Sequence, residues 1–257
     1  MPTVASKYCQ LPGNYDMHGW KDLLSEGKLE NQTTQLSRAI VEWVKKLRTD
    51  PNGRLLDRIR DDEWVNISFN SDDVLDIPLP NLHEIDLFII AQVMEGKEDP
   101  PLAAVHAMYL REEEPEFSSM EVYLYFPPEP SLAHLGQIVP VLKETLRHEL
   151  EHSTQSRETM VAIGGVPEFD DFDSVKRTYL SDGEVAAWVS GLYKRAKVQK
   201  LPLTEIIDDA IELLRARVLE AHVEAGLGIL ELELSRFIDQ LKDRWLQYAR
   251  KRFPRAR

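Results

Sequence analysis

The segment "LKETLRHELEHSTQSRE" (142–158) decides how the rest of the chain is read, because it carries His148, Glu149 and His152 in the spacing H-E-x-x-H. On an α-helix, residues four apart are neighbours on one face, so the two imidazoles can aim nitrogens at one point. Glu149 lies about 100° further round the helix. Its carboxylate then sits beside that point rather than on it, where it can take a proton from an activated water. Glu151 points away and receives no chemical role. Val141, Leu142, Leu146 and Leu150 supply an apolar face that can be buried. With 7 histidines in 257 residues, chance places such a motif in a chain of this composition about 2% of the time. A solvated helical face with two histidines four apart therefore stands as the alternative.

Two histidines do not complete a catalytic zinc site, which takes three protein ligands and a water. Downstream, Glu184 lies in "YLSDGEVAAW" (179–188), the acids Glu168, Asp170, Asp171 and Asp173 lie in "GGVPEFDDFD" (164–173), and His222 lies further on. Glu184 has a second reading, since Ser181-Asp182-Gly183-Glu184 matches a capping box in which the glutamate reaches back to the cap N–H. The acids of 164–173 read equally as turn chemistry, and their spacing does not match a calcium-binding EF-hand loop. The one cysteine, Cys9, excludes an internal disulfide and a cysteine-rich zinc module, leaving histidine and carboxylate as the available ligands.

Upstream, "TTQLSRAIVEWVKKLRTD" (33–50) places Leu36, Ile40, Val44 and Leu47 on one helical face, and Pro51-Asn52-Gly53 stops it. From about residue 63 the pattern shortens. "EWVNISFNS", "HEIDLFIIAQVME", "LAAVHAMYLR" and "MEVYLYF" are rich in β-branched and aromatic residues and predict four strands. The acidic connector "EEEPEFSS" predicts an antiparallel pair from the last two. "PPEP" (127–130) ends the strands, and Pro140 is expected in the first turn of the histidine-bearing helix or at a kink in it.

Residues 164–173 read as loop. Helices follow from near Ser181, over "LTEIIDDAIELLRARVLEAHVEAG" and over "GILELELSRFIDQLKDRWLQYARKRF", with 225–228 separating the last two. Helix, strands, then helices is the α+β order. It divides here into residues 1–200, holding sheet and site, and a helical extension over 201–257. The apolar stripes of that extension (Ile206, Ile207, Ile211, Leu214, Val218; Leu230, Leu234, Phe237, Leu241) read as core, with an interaction surface for a protein partner as the other reading.

A net charge of −13 repels phosphate backbones, so nucleic acid is not an expected partner. The basic end "ARKRFPRAR" suits a helix C-terminus. The first residues, "MPTVASKYCQLPGNYDMHGW", hold no apolar run of the kind a signal peptide needs, and the longest apolar stretches elsewhere fall far short of a membrane span of about 20 residues. A cytoplasmic protein is the expectation.

"RHELEHSTQ" and, about thirty residues on, "YLSDGEVAAW" together resemble the gluzincin type of zincin metallopeptidase, whose H-E-x-x-H helix is followed by a helix supplying a glutamate ligand. More narrowly they resemble zincin domains of phage and mobile-element proteins, in which H-E-x-x-H-x-x-Q is followed by a tyrosine and then Gly-Glu-x-x-Ala. The matching positions are His148, Glu149, His152, Gln155, Tyr179, Gly183, Glu184 and Ala187, within residues 120–195. The relatives often place an acid and a basic residue around that alanine; here the run is Glu184-Val185-Ala186-Ala187-Trp188.

The resemblance implies a zincin-like fold with a small, mostly antiparallel sheet. It implies Zn2+ held by His148, His152 and Glu184, with Glu149 as general base. Tyr179 becomes a donor to the developing oxyanion or a packing residue, and "MEVYLYF" an edge strand that receives an extended peptide or a plain core strand. The implied activity is hydrolysis of peptide bonds in a protein or peptide substrate, in a host cytoplasm or a virion if the chain is phage-encoded. The alternative is a zincin-fold binding or regulatory module with a metal site of little activity.

Overall fold

A computed structural model describes residues 17–48, 65–76, 82–91, 104–110, 118–126, 132–156, 158–159, 167–228 and 231–254. Cys9, 51–53, the connector 112–117, "PPEP", Gly164, Gly165, the last three residues, and the side chains of Leu47 and Leu230 lie outside the described parts. The described elements are α1 (Met17–Arg48), β1 (Val65–Asn70), β2 (Glu84–Ala91), β3 (Ala104–Leu110), β4 (Ser119–Phe126), α2 (Leu132–His152), α3 (Phe172–Tyr179), α4 (Asp182–Gln199), α5 (Leu203–Glu224) and α6 (Glu231–Arg252). The protein is α+β, with six helices and one four-stranded mixed sheet among the described residues.

The sheet order is β1-β2-β4-β3. β1 runs antiparallel to β2 and β3 antiparallel to β4, while β2 and β4 are parallel, with Leu87 opposite Val122. The predicted β3–β4 antiparallel pair is present. Of the two readings of "MEVYLYF", the edge strand is corrected and the core strand holds: it falls in β4, an interior strand, and the edge on that side is β3. The cause is that β4 inserts between β2 and β3, a long-range pairing that local sequence does not encode.

Alternation along the strands turns one face inward. Ile85, Leu87, Ile89, Met120, Val122, Leu124, Ala107 and Tyr109 are buried, and α1 and α2 cover them with Leu36, Ile40, Leu142, Leu146 and Leu150. α1 starts well before residue 33. Its buried stripe continues back through Thr33 to Leu29, and Thr33 Oγ1 donates to the Leu29 carbonyl at 2.7 Å. Polar residues within the stripe hide its length from a hydrophobicity pattern. α2 likewise begins at Leu132, so Pro140 lies inside the helix rather than in its first turn; it leaves the Gly136 carbonyl without the usual helical donor.

A second core joins α3, α4, α5 and α6 through Val175, Val185, Val189, Leu192, Ile207, Ile211, Val218, Leu234, Phe237, Leu241 and Trp245. The stripes of α5 and α6 are thus core, as read. The loop reading of 164–173 fails at its end: α3 begins at Phe172, with Asp171 Oδ1 accepting the Asp173 N–H at 3.0 Å. The acids that argued for a loop are an N-cap and a first turn. α5 ends in a Schellman turn: Gly226 has φ +67, and the Leu227 N–H reaches back to the His222 carbonyl at 2.8 Å.

Candidate metal centre

α2 and α4 pack side by side, and Gly191 on α4 is what lets them come close. A Cβ there would stand 2.8 Å from the Glu144 carbonyl oxygen and 3.4 Å from His148 Cβ. This contact brings the start of α4 over the last turn of α2, and three side chains converge. His148 Nε2 and His152 Nε2 are 3.0 Å apart. His152 Nε2 lies 3.3 Å from Glu184 Oε1, and His148 Nε2 lies 3.6 Å from Glu184 Oε2.

Those edges can be checked against zinc. A tetrahedral ion with ligand bonds of ~2.0–2.1 Å separates its ligand atoms by ~3.3 Å. The closest separations lie about that value, the two to the carboxylate ending on different oxygens of Glu184, and two imidazoles with one carboxylate are a donor set that zinc takes. Among the described residues, His148, His152 and Glu184 form the one group able to hold a metal ion.

The local sequence explains why Glu184 is free for this. Ser181 caps α4, its Oγ accepting the Glu184 N–H at 3.2 Å, so half of the predicted capping box exists. The reciprocal half does not. The Ser181 N–H donates to the Thr178 carbonyl at 3.0 Å, which leaves the Glu184 carboxylate to face the histidines. The other candidates are engaged elsewhere. Asp171 is the α3 cap, Asp173 pairs with Lys176, and His222 is buried against Phe172 with Nδ1 2.9 Å from the Val218 carbonyl. Glu168 and Asp170 are not in the metal group.

Glu149 stands beside the group and not in it, with Oε1 3.9 Å from His148 Nε2. Its Oε2 accepts the backbone N–H of Tyr109 at 2.9 Å. Tyr109 lies on β3, so the carboxylate is tied to the sheet edge. Glu151, on the far side of α2, pairs with the fully buried Arg147.

The electrostatics follow from burial and neighbours. Burial holds His148 neutral, down to about 3, against the pull of Glu184. Burial also raises Glu149 to about 7, with His152 and the Tyr109 hydrogen bond opposing it. For His152 burial acts downward, but the Glu184 hydrogen bond and the Glu149 charge outweigh it and raise the group to about 9. Glu184 goes the other way: burial would lift it, and the two histidines with the Trp188 indole hold it below the usual carboxylate range. In the protein without metal, one proton and one negative charge are therefore shared across His152 and Glu184.

Tyr179, the last residue of α3, is buried and stacks on Trp188 with ring centroids 5.6 Å apart. Burial pushes its hydroxyl above the usual phenol range, and the Glu184 charge adds to that push. Trp188 is a site residue that motif reading passed over. It packs edge-on against His148 at 4.8 Å and is backed by Trp245 of α6 at 5.9 Å. Its position four residues after Glu184, on the same helical face, was the available signal. Tyr109 carried none, because it acts through its backbone.

No helix of the described residues is long and apolar enough to cross a membrane. Comparison with models of protein families, with curated proteins and with solved structures returned no match.

Proposed function

We propose that the chain is a zinc-dependent peptidase of the zincin type, with Zn2+ held by His148, His152 and Glu184. The observation that carries this reading is the convergence of the two histidine Nε2 atoms and the Glu184 carboxylate, each within 3.0–3.6 Å of the next, with Glu149 beside them and hydrogen-bonded to a sheet edge. Zinc in that position would supply an activated water and an electrophile for a carbonyl oxygen.

The chain's own residues supply the rest. Glu149 Oε2 is engaged by Tyr109, which leaves Oε1, on the side of the histidines, to accept a proton from the attacking water and return it to the leaving amine. Burial has raised this carboxyl toward neutrality, the range in which a general base and acid works at physiological pH. Tyr179, stacked on Trp188 and close enough to Glu184 to feel its charge, is the residue we assign as donor to the oxygen on which charge develops.

Support for a peptide substrate comes from β3. In an antiparallel ladder, backbone N–H and C=O groups of alternate residues point away from the partner strand. Since the Tyr109 N–H points outward to Glu149, those of Ala107 and Val105 point outward too. Among the described residues nothing pairs with them. An extended peptide added there would lie alongside the carboxylate.

Zinc content measured by elemental analysis, with cleavage of an unstructured protein by the parent and by Glu149→Gln, tests the proposal. The expected result is one bound zinc in both proteins and cleavage by the parent alone. Zinc without cleavage by the parent would reassign the chain to the binding-module class, and no zinc would end both readings.

A further inference from the structure

Gln155 lies three residues beyond His152, in the turn that leaves α2, and two of the hydrogen bonds of its side-chain amide fix each other. Its Nε2 donates to the Gly183 carbonyl at 2.8 Å. That bond leaves Oε1 as the end facing His152, where it stands 3.1 Å from Nδ1. An amide oxygen only accepts, so His152 Nδ1 must carry the hydrogen. The neutral ring then has its lone pair on Nε2, the nitrogen that lies 3.0 Å from His148 Nε2 and 3.3 Å from Glu184 Oε1. Orientation of the amide and tautomer of the ring are thus set by one backbone carbonyl, with no free choice at either step.

The carbonyl's identity gives the arrangement further meaning. Gly183 immediately precedes Glu184 and sits in the first turn of α4, whereas His152 closes α2. One side chain therefore spans the two helices that contribute ligands, touching a ligand on one and the neighbour of a ligand on the other. The Gln155 backbone adds a third tie, its N–H donating to the His152 carbonyl at 3.0 Å.

The geometry points to Gln155 as a positioning residue of the metal centre: it holds His152 with Nε2 presented to the ion and sets the start of α4 so that Glu184 meets the same point. The inference rests on the zinc reading above. Outer partners of this kind commonly change metal affinity by roughly 10- to 100-fold when removed.

Gln155→Met keeps the volume and removes both bonds. Gln155→Glu keeps an acceptor for Nδ1–H and loses the donor to Gly183. Zinc affinity is read by competition with a fluorescent chelator, and the His152 Nδ1–H by nitrogen-15 NMR of histidine-labelled, zinc-loaded protein. The expected result is zinc binding weakened roughly 10- to 100-fold in Gln155→Met, with its Nδ1–H exchanging rapidly. Gln155→Glu should retain a protected Nδ1–H and lose less affinity than Gln155→Met.

Unchanged affinity together with an unchanged Nδ1–H in Gln155→Met overturns the inference. The parent alone supplies a second test. In metal-free protein titrated alkaline until the ring is neutral, His152 should carry its proton on Nδ1, and a proton on Nε2 overturns the inference without any variant. Parent protein that binds no zinc yet shows the Nδ1 tautomer would instead remove the proposed function and leave the Gln155–His152 pairing standing.

Discussion

The backbone N–H of Tyr109 donates to Glu149 Oε2 at 2.9 Å, so the acid of the H-E-x-x-H helix and the outer edge of the sheet are joined by one bond. The bond fixes which carboxylate oxygen faces the histidines. It also brings near the same carboxylate the part of β3, at Ala107 and Val105, whose outward groups have no partner among the described residues.

A proline at Ala107 removes an outward-pointing N–H and leaves the ladder to β4 intact, a substitution that edge strands tolerate. One hydrogen bond contributes ~0.5–1.5 kcal/mol net, so Ala107→Pro should raise KM for an unstructured substrate roughly 2- to 10-fold, with zinc content unchanged. Steady-state kinetics on a quenched peptide reads this, and an unaltered KM would argue against pairing of substrate on β3.

Alkaline pH should weaken the metal-free fold and strengthen zinc binding. Glu149 is raised from 4.5 to about 7 and His152 from 6.5 to about 9. A group with a raised folded value stabilises the fold fully below its unfolded value, and that stabilisation is lost as pH climbs through the folded one. His148, depressed to about 3, is neutral in both states above 6.5 and adds little slope there. Melting temperature of chelator-treated protein should therefore fall from pH 6.5 to 9. Zinc affinity should rise over the same window, because the ion needs a neutral His152. A melting temperature that climbs across this range would contradict the assignment.

Gly191→Ala should loosen the contact between α2 and α4. The new methyl would meet the Glu144 carbonyl oxygen at 2.8 Å, and the backbone must yield, at a cost of about 1–3 kcal/mol. His148 lies one turn beyond Glu144, so zinc affinity should fall with stability. Calorimetry of the variant with and without metal measures both, and equal stability to the parent would show that the helices have slack.

Arg147 is fully buried and its carboxylate partner is Glu151. Glu151→Leu strands the guanidinium in the core and should cost about 3–5 kcal/mol. Arg147→Met combined with Glu151→Leu should recover most of that loss, since a well-packed apolar pair often equals a buried ion pair. Chemical denaturation of the two variants decides the matter, and a double variant no better than the single one would refute it.

The parts legible in the sequence are those fixed by local periodicity. Leu36, Ile40 and Val44 share a helical face, and His148 and His152 converge because they are four apart on one turn. The α5 and α6 stripes are buried as their spacing predicts. Glu184 was reachable from its motif, although whether it capped or faced the histidines depended on where the Ser181 N–H goes.

The rest depends on contacts distant in the chain. β4 inserts between β2 and β3, so the edge strand could not be named from strand order. Asp171 and Asp173 look like loop residues because a cap and a first turn have loop composition. Tyr109 acts through a main-chain group that every residue but proline possesses. Trp245 reaches the site through Trp188.

The two ligand-bearing helices anchor in different cores: α2 with the sheet and α1, α4 with α3, α5 and α6. During synthesis the two imidazoles leave the ribosome more than thirty residues ahead of the carboxylate that completes their set. A nascent chain with "HELEH" alone therefore lacks the third member of the group. Under the proposed function, a newly made molecule gains its ability to cut polypeptide only when its second half has closed onto its first, which keeps an unfinished copy from attacking itself or its neighbours.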